Sequence, residues 1–301
     1  MSVNARSTGL APQARLWNKG SVAVLLAGLS ALMYGAADFC GGLATRRNSV
    51  FAVLAISQAV GLALALAASA FLGVGLPGPV DLLWGALGGV CGAFGLAALY
   101  TALANTVVAV ASPTAAVVGA GIPVILGVAA GERPGALAWI GIALAVPAIA
   151  LLTSGPAGAA RGGGAARRAA LLGLAAGLGF GLFFFAVSRT SRGSGLWPLL
   201  AARLSTISLI ALFALFTGRS LRVSRTNIPL LLLSGTLDMG ANIAFLLASR
   251  AGMLTIAAVI ASLYPGPTVL LAWMVFRERL TGMRLAGLAL ALAGVALISV
   301  R

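Results

Sequence analysis

The chain has 301 residues, of which 60% are hydrophobic and 8% charged, with a formal net charge of +15 and no histidine. Soluble domains carry roughly 25% charged residues, so too few charges are present to cover a water-facing surface, and a soluble globular fold is excluded. The lack of histidine removes the usual general base and the commonest metal ligand. The arginines sit scattered at the ends of apolar runs, which reads as bilayer-flanking charge rather than a nucleic-acid surface.

In chain order, residues 1–20 form a polar, basic tail with Arg6, Arg15 and Lys19. The apolar run behind it is too long for a signal-peptide core and reads as a first membrane helix. With roughly 20 apolar residues per crossing, helices are predicted at 21–45, 50–73, 80–103, 106–129 and 135–153, a first repeat over 21–153. The Gly-rich, basic stretch 154–168 reads as a flexible linker. A second set follows at 169–190, 196–217, 227–249, 253–276 and 282–300, a second repeat over 169–301. Trp17, Trp84, Trp139, Trp197 and Trp273 fall near helix ends, where an aromatic belt would place them. Cys40 and Cys91 lie inside apolar runs without metal-ligand spacing and read as small hydrophobes.

The two sets superpose at a constant shift of about 146 residues. Tyr34-Gly35 meets Phe180-Gly181, Arg46 meets Arg192, Gly89 meets Gly235, Glu132-Arg133 meets Glu278-Arg279, and Gly141 meets Gly287. Five crossings per repeat is an odd number, so the second repeat must enter the membrane with opposite orientation. The expected fold is an all-α integral membrane protein: ten transmembrane helices as two inverted five-helix repeats, with a substrate site near the midplane between them. The Lys and Arg count on the two sides is too even to orient the chain by the positive-inside rule.

Only five acidic residues are present, so each can be weighed. Asp81 opens the third helix and Glu132 sits in a short loop; both read as structural, a helix N-terminal charge and a solvated loop residue. Glu278 ends the ninth helix and reads as a cap or a local ion-pair partner. Asp38 and Asp238 lie well inside helices one and eight. A central charge costs about 2.5–3.5 kcal/mol on insertion scales, so each must be paired, protonated or facing water. Ser30, Tyr34 and Asp38 step by four along helix one, and Ser234, Asp238 and Asn242 step by four along helix eight, each set on one helix face. These faces are expected either to line one aqueous cavity that binds protons or a cationic group, or to form a buried polar network that fixes packing.

Arg203, two turns into helix seven, has three readings: a bidentate receptor for a substrate carboxylate, a partner for an aspartate, or a side chain snorkelling to the interface. Pro113 and Pro265 fall within helices four and nine, with Pro123, Pro147 and Pro267 nearby. Each removes a backbone donor and kinks its helix, and in a membrane the freed carbonyls need protein or cavity water. Ser112-Pro113 and the run Ser262 to Pro265 are therefore candidate bent, cavity-lining segments, with Tyr264 as an aromatic contact. Phe180 and Phe183 to Phe185 either add to that aromatic contact or simply pack.

These segments resemble the drug/metabolite transporter superfamily, specifically its EamA-type ten-helix members with two EamA repeats. The carriers are YGAADFCGGLATRR in helix one, GLWPLLAAR leading to Arg203, GTLDMGAN around Asp238, and the run from ASLYPGPTV through FRERLTGMRLAGLALALAGVALI. GERPGALAWIGIALAVPAIALL repeats the last segment around Glu132. The resemblance implies an alternating-access carrier in the plasma membrane, with both termini cytoplasmic. Helices one to four and six to nine would surround the cavity, with five and ten peripheral, and members carry amino acids, other metabolites or toxic compounds, often as exporters. Two features depart from a symmetric pattern. Pro123 lies nine residues before Glu132 whereas Pro265 lies thirteen before Glu278, and neither Asp38 nor Asp238 meets an acid at the shift.

The function expected is secondary transport of a small metabolite or drug, coupled to protons or another gradient because no nucleotide-binding motif is present. Its partners would be a small-molecule substrate and the lipid bilayer, with no nucleic acid, no cofactor and no metal. The alternatives are a non-transporting membrane receptor or scaffold, and an intramembrane aspartyl-type enzyme built on the two central acids.

Overall fold

The computed structural model describes residues 12–105, 108–153, 163–218, 220–276 and 281–299. Apart from two single 3-10 turns, the described elements are α-helices: α1 (Pro12–Thr45), α2 (Val50–Leu72), α3 (Pro79–Asn105), α4 (Val108–Ala129), α5 (Ala136–Thr153), α6 (Gly163–Ser188), α7 (Trp197–Thr217), α8 (Ile228–Ala251), α9 (Leu254–Ala261), α10 (Pro265–Phe276) and α11 (Gly282–Ser299). Eight stretches are long and apolar enough to cross a membrane, with α9 and α10 together making one of them, and Thr114–Ala129 and Ala136–Leu152 are shorter apolar helices. Apolar helical stretches thus stand at all ten predicted positions, eight of them long enough to cross and the ninth broken in two. Glu278 and its match to Glu132, together with residues 154–162 of the linker, lie outside the described residues.

Two boundaries differ from expectation. Helix α1 begins at Pro12, inside the predicted tail, and α6 begins at Gly163, inside the predicted linker. The added residues include Ala, Arg, Gln, Leu and Lys, which form helix readily in water, so each helix runs on past its apolar span, which begins at Gly20 or Arg167.

The polarity of the bundle is reversed from that of a soluble protein. Leu25, Phe71, Leu215 and Phe216 point outward and are largely exposed, while Ser30, Gln58, Arg203, Thr206, Ser234 and Asn242 are buried. An apolar exterior of this extent belongs in lipid. Small residues let the helices meet: a Cβ added at Gly179 of α6 would lie 2.6 Å from the Cys91 carbonyl oxygen of α3. Hydroxyls then bond the seams. Ser30 donates to the Ala241 carbonyl (2.9 Å) and Ser234 to the Ala37 carbonyl (3.0 Å), joining α1 to α8. Thr206 of α7 donates to the Gly89 carbonyl of α3 (2.8 Å).

The contacts obey the same 146-residue shift as the sequence. Gly141 of α5 packs on Gly294 and Ile298 of α11, and its counterpart Gly287 packs on Ala148 and Leu152 of α5, the counterparts of those residues. Gly35 of α1 packs on Thr268 of α10; its counterpart Gly181 of α6 packs on Ile122 of α4. This exchange of partners is the signature of a two-fold relation between the halves.

Polar bonds tie together the connections α2–α3, α4–α5, α6–α7 and α8–α9. Asp81 accepts from the Ser191 amide and hydroxyl (both 2.7 Å). Arg250 donates to the Gly195 carbonyl (2.8 Å) and to the hydroxyls of Ser194 (2.8 Å) and Thr190 (3.2 Å). Trp197 Nε1 donates to the Val74 carbonyl (2.9 Å). Glu132 is not the solvated loop residue expected: its carboxylate accepts from the amides of Leu254 (2.6 Å) and Thr255 (2.9 Å), at the start of α9. The residue before α9, Met253, offers no side-chain cap, so the free N–H groups of that helix end draw an acceptor from another loop. Elsewhere the Ser224 amide donates to Asn48 Oδ1 (2.9 Å), linking α7–α8 to α1–α2.

Candidate functional site

Midway along α8 the ladder of four-residue steps divides its labour. Ser234, like Ser30 on α1, belongs to the α1–α8 seam. One step further along each helix, Asp238 and Tyr34 face a cavity, and Asn242 and Asp38 join them in its wall. The Asn242 amide donates to the Asp238 carbonyl of its own helix (2.6 Å), which leaves its Oδ1 as a polar atom of the lining.

Arg203 resolves among its three readings as an aspartate partner. Its Nη2 lies 2.6 Å from Asp238 Oδ2, Nη1 donates to Gln58 Oε1, and the guanidinium also touches the Met239 sulfur. The side chain is 9% exposed and that of Asp238 14%, so the pair is inside the protein and does not reach the interface. Arg203 can hold this position because Gly61 of α2 lies against its side chain, where a Cβ would sit 3.0 Å from Nε. Asp38 is different: among the described residues its carboxylate has no ion-pair or hydrogen-bond partner. The charged lining is therefore one ion pair and one lone carboxylate.

The ninth crossing breaks where the sequence suggested. The backbone turns through Ser262, Leu263 and Tyr264, and Pro265 starts α10. Proline supplies no N–H, so the Ala261 carbonyl is taken instead by the Tyr264 amide (3.2 Å). The break puts Ser262 and Tyr264 into the cavity wall. It is close-packed against Gly35, where a Cβ would be 2.7 Å from Pro267 Cβ. At Pro113 the outcome differs: α4 continues from Val108 to Ala129 without a break, and Ala115 and Gly119 line the cavity from it.

The cavity thus gathers Tyr34, Asp38, Arg203, Asp238, Asn242 and Tyr264. The cavity has a volume of about 670 Å³, part of it open to solvent. Lining residues come from α1, α2, α3, α4, α6, α7, α8 and the α9–α10 break, and none from α5 or α11. Of the two readings of this aromatic run, Phe180, Phe183 and Phe184 fit the aromatic contact, since they line the cavity. The three- and four-residue steps from Phe180 to Phe183 and Phe184 put them on one face of α6. Phe185 does pack, edge-on to Trp84 with centroids 6.1 Å apart. Gln58 was missed; its one signal in the sequence is a lone amide in the apolar run of α2.

A cavity lined by charged, polar and aromatic side chains among membrane-crossing helices is the kind of site that multi-pass membrane proteins use to receive small molecules. Residues 167–300, which take in most of α6 to α11, match the model of the EamA-like transporter family. That family is one of small-molecule transporters and not of enzymes, in keeping with the drug/metabolite transporter resemblance. Among curated proteins none matches the chain. Of the solved structures, 18 chains match. One, a protein crystal structure, is similar over 92% of this chain and 98% of its own at 18% identity, with a TM-score of 0.76. At that identity the likeness speaks for the fold alone.

Proposed function

We propose that the chain is a secondary carrier of the plasma membrane that moves a small metabolite or drug by alternating access, with proton coupling at Asp38 and export as its direction. The observation that carries this reading is the lone Asp38 carboxylate in a cavity built by both halves of the chain. A charge at that depth is costly unless something neutralises it. A bound proton or a cationic group on the substrate would do so alternately, and that exchange is the essence of coupling. Asp238, Arg203, Tyr34 and Tyr264 line the cavity with Asp38, and Tyr100 is near enough to feel its charge. Asp238 is held by Arg203, which leaves Asp38 as the carboxylate free to exchange.

The partner exchange between Gly141 and Gly287, and between Gly35 and Gly181, supports two repeats of opposite orientation, over 21–153 and 169–301, that rock about the cavity. The polar ties between the α2–α3, α4–α5, α6–α7 and α8–α9 connections would hold one end shut and release as the other closes. Both termini are taken to lie in the cytoplasm. The test is flux in vesicles holding purified protein, with and without a pH gradient, over a panel of small metabolites and drugs. Saturable flux stimulated by the gradient is expected, and Asp38→Asn should abolish the stimulation while the protein still inserts and purifies normally. Wild-type flux and pH response in the variant would rule out coupling at Asp38, and no flux of any compound would rule out the carrier reading.

A further inference from the structure

We infer that the cavity selects an organic monocation with an aromatic or otherwise apolar body, in preference to a zwitterion or an anion. This rests on the reading of the cavity as a substrate site.

Three independent features converge. The first is charge. Asp38, Asp238 and Arg203 line the cavity, and Arg203 is already bound to Asp238 at 2.6 Å. When Asp38 is ionised, the lining therefore carries one net negative charge, and it resides on that carboxylate. An anionic substrate group would have to displace Asp238 from a guanidinium that also donates to Gln58 and is almost fully enclosed. A substrate ammonium meets no such competitor at Asp38.

The second is unmet hydrogen bonding. The hydroxyls of Tyr34 and Tyr264 are buried and have no hydrogen-bond partner among the described residues, yet both side chains line this cavity. Buried polar atoms are nearly always satisfied, and two orphans beside a lone carboxylate mark a place where a polar ligand head would dock. The third is the aromatic wall. Phe180, Phe183, Phe184, Tyr34 and Tyr264 present ring surface to the cavity. Phe184 is braced by stacking on Phe245 (centroids 4.1 Å, 28°) and by Tyr34 (6.0 Å). Ring faces attract cations and repel carboxylates, and they give apolar contact to the body of the ligand.

A metal ion is a poor fit for the same space. Among the described residues no three His, Cys, Asp or Glu side chains come together to hold one. The chemistry left is a fixed or protonated amine on a hydrophobic frame.

The experiment is equilibrium binding of benzyltrimethylammonium to the purified full chain in lipid nanodiscs, compared with phenylalanine and 3-phenylpropionate. The three share a phenyl ring and differ in net charge. Saturable binding of the cation is expected, weakened about tenfold or more by Asp38→Asn, as loss of a charge-assisted contact does, and largely restored by Asp38→Glu, which also shows that the pocket survives substitution. Stronger binding of phenylalanine or phenylpropionate than of the cation overturns the inference, as does cation affinity untouched by Asp38→Asn. Flux in vesicles separates the two claims. If a zwitterion or anion is carried and the cation is not bound, the charge preference falls while the carrier reading stands. If the cation binds at Asp38 but no compound is carried, the site stands and the carrier reading falls.

Discussion

At the scale of single residues, the site turns on an asymmetry between two aspartates that look alike in the sequence. Asp238 is neutralised by Arg203, and Asp38 is not. Removing one member of a buried pair leaves the other as an uncompensated charge, at about 3–5 kcal/mol. Arg203→Ala should therefore lower the thermal stability of the purified protein sharply, and Arg203→Ala with Asp238→Asn should recover much of the loss. Melting curves of the single and double variants in detergent check this; a double variant no more stable than Arg203→Ala alone would mean that the pair does not carry the effect. The depth and rarity of the two acids were legible from the chain, because a charge inside an apolar run is conspicuous. Their different fates were not, because Arg203 reaches Asp238 only once α7 and α8 pack with α2, a tertiary fact with no local pattern. Gln58 was hidden for the same reason: one amide in an apolar helix reads as tolerated until its partner is known.

At the scale of elements, the break between α9 and α10 and the cap on α9 belong together. A helix that starts within the bundle exposes N–H groups that must find acceptors. Met253 cannot supply one, and Glu132 does so from the α4–α5 connection. Glu132→Ala should cost about 1 kcal/mol, the scale of a helix cap with its charge, and Glu132→Gln should cost less because its amide oxygen still accepts. Thermal unfolding midpoints of the two variants test the ordering, and equal midpoints for wild type and Glu132→Ala would remove the cap from the account. The break itself was readable from Ser262 to Pro265, since proline's missing donor acts locally. The cap was not, because Glu132 and Leu254 lie more than a hundred residues apart and only folding brings them together. The same holds for Phe180 and Phe183: an aromatic run announces hydrophobicity, and the direction it faces is decided by what α6 packs against.

At the scale of the whole molecule, composition and helix count already determine the class of fold, since a chain this poor in charge has no alternative to lipid. The 146-residue shift goes further, because it reappears in the contacts: Gly141 and Gly287 exchange partners across α5 and α11. The scaffold is thus symmetric while the site is not, with Phe184 and Gly92 standing at the shifted positions of Asp38 and Asp238. A carrier of this design must show its cavity to each side of the membrane in turn. The direct measurement is accessibility of a single cysteine, Ser262→Cys, in a chain carrying Cys40→Ala and Cys91→Ala, labelled by a membrane-impermeant thiol reagent from either face of oriented vesicles. Ser262 is buried and lines the cavity, and cysteine is nearly its equal in size. Labelling from both faces, slowed from both by a bound substrate, is predicted. Labelling from one face only, whatever the substrate or gradient, would contradict alternating access through this cavity.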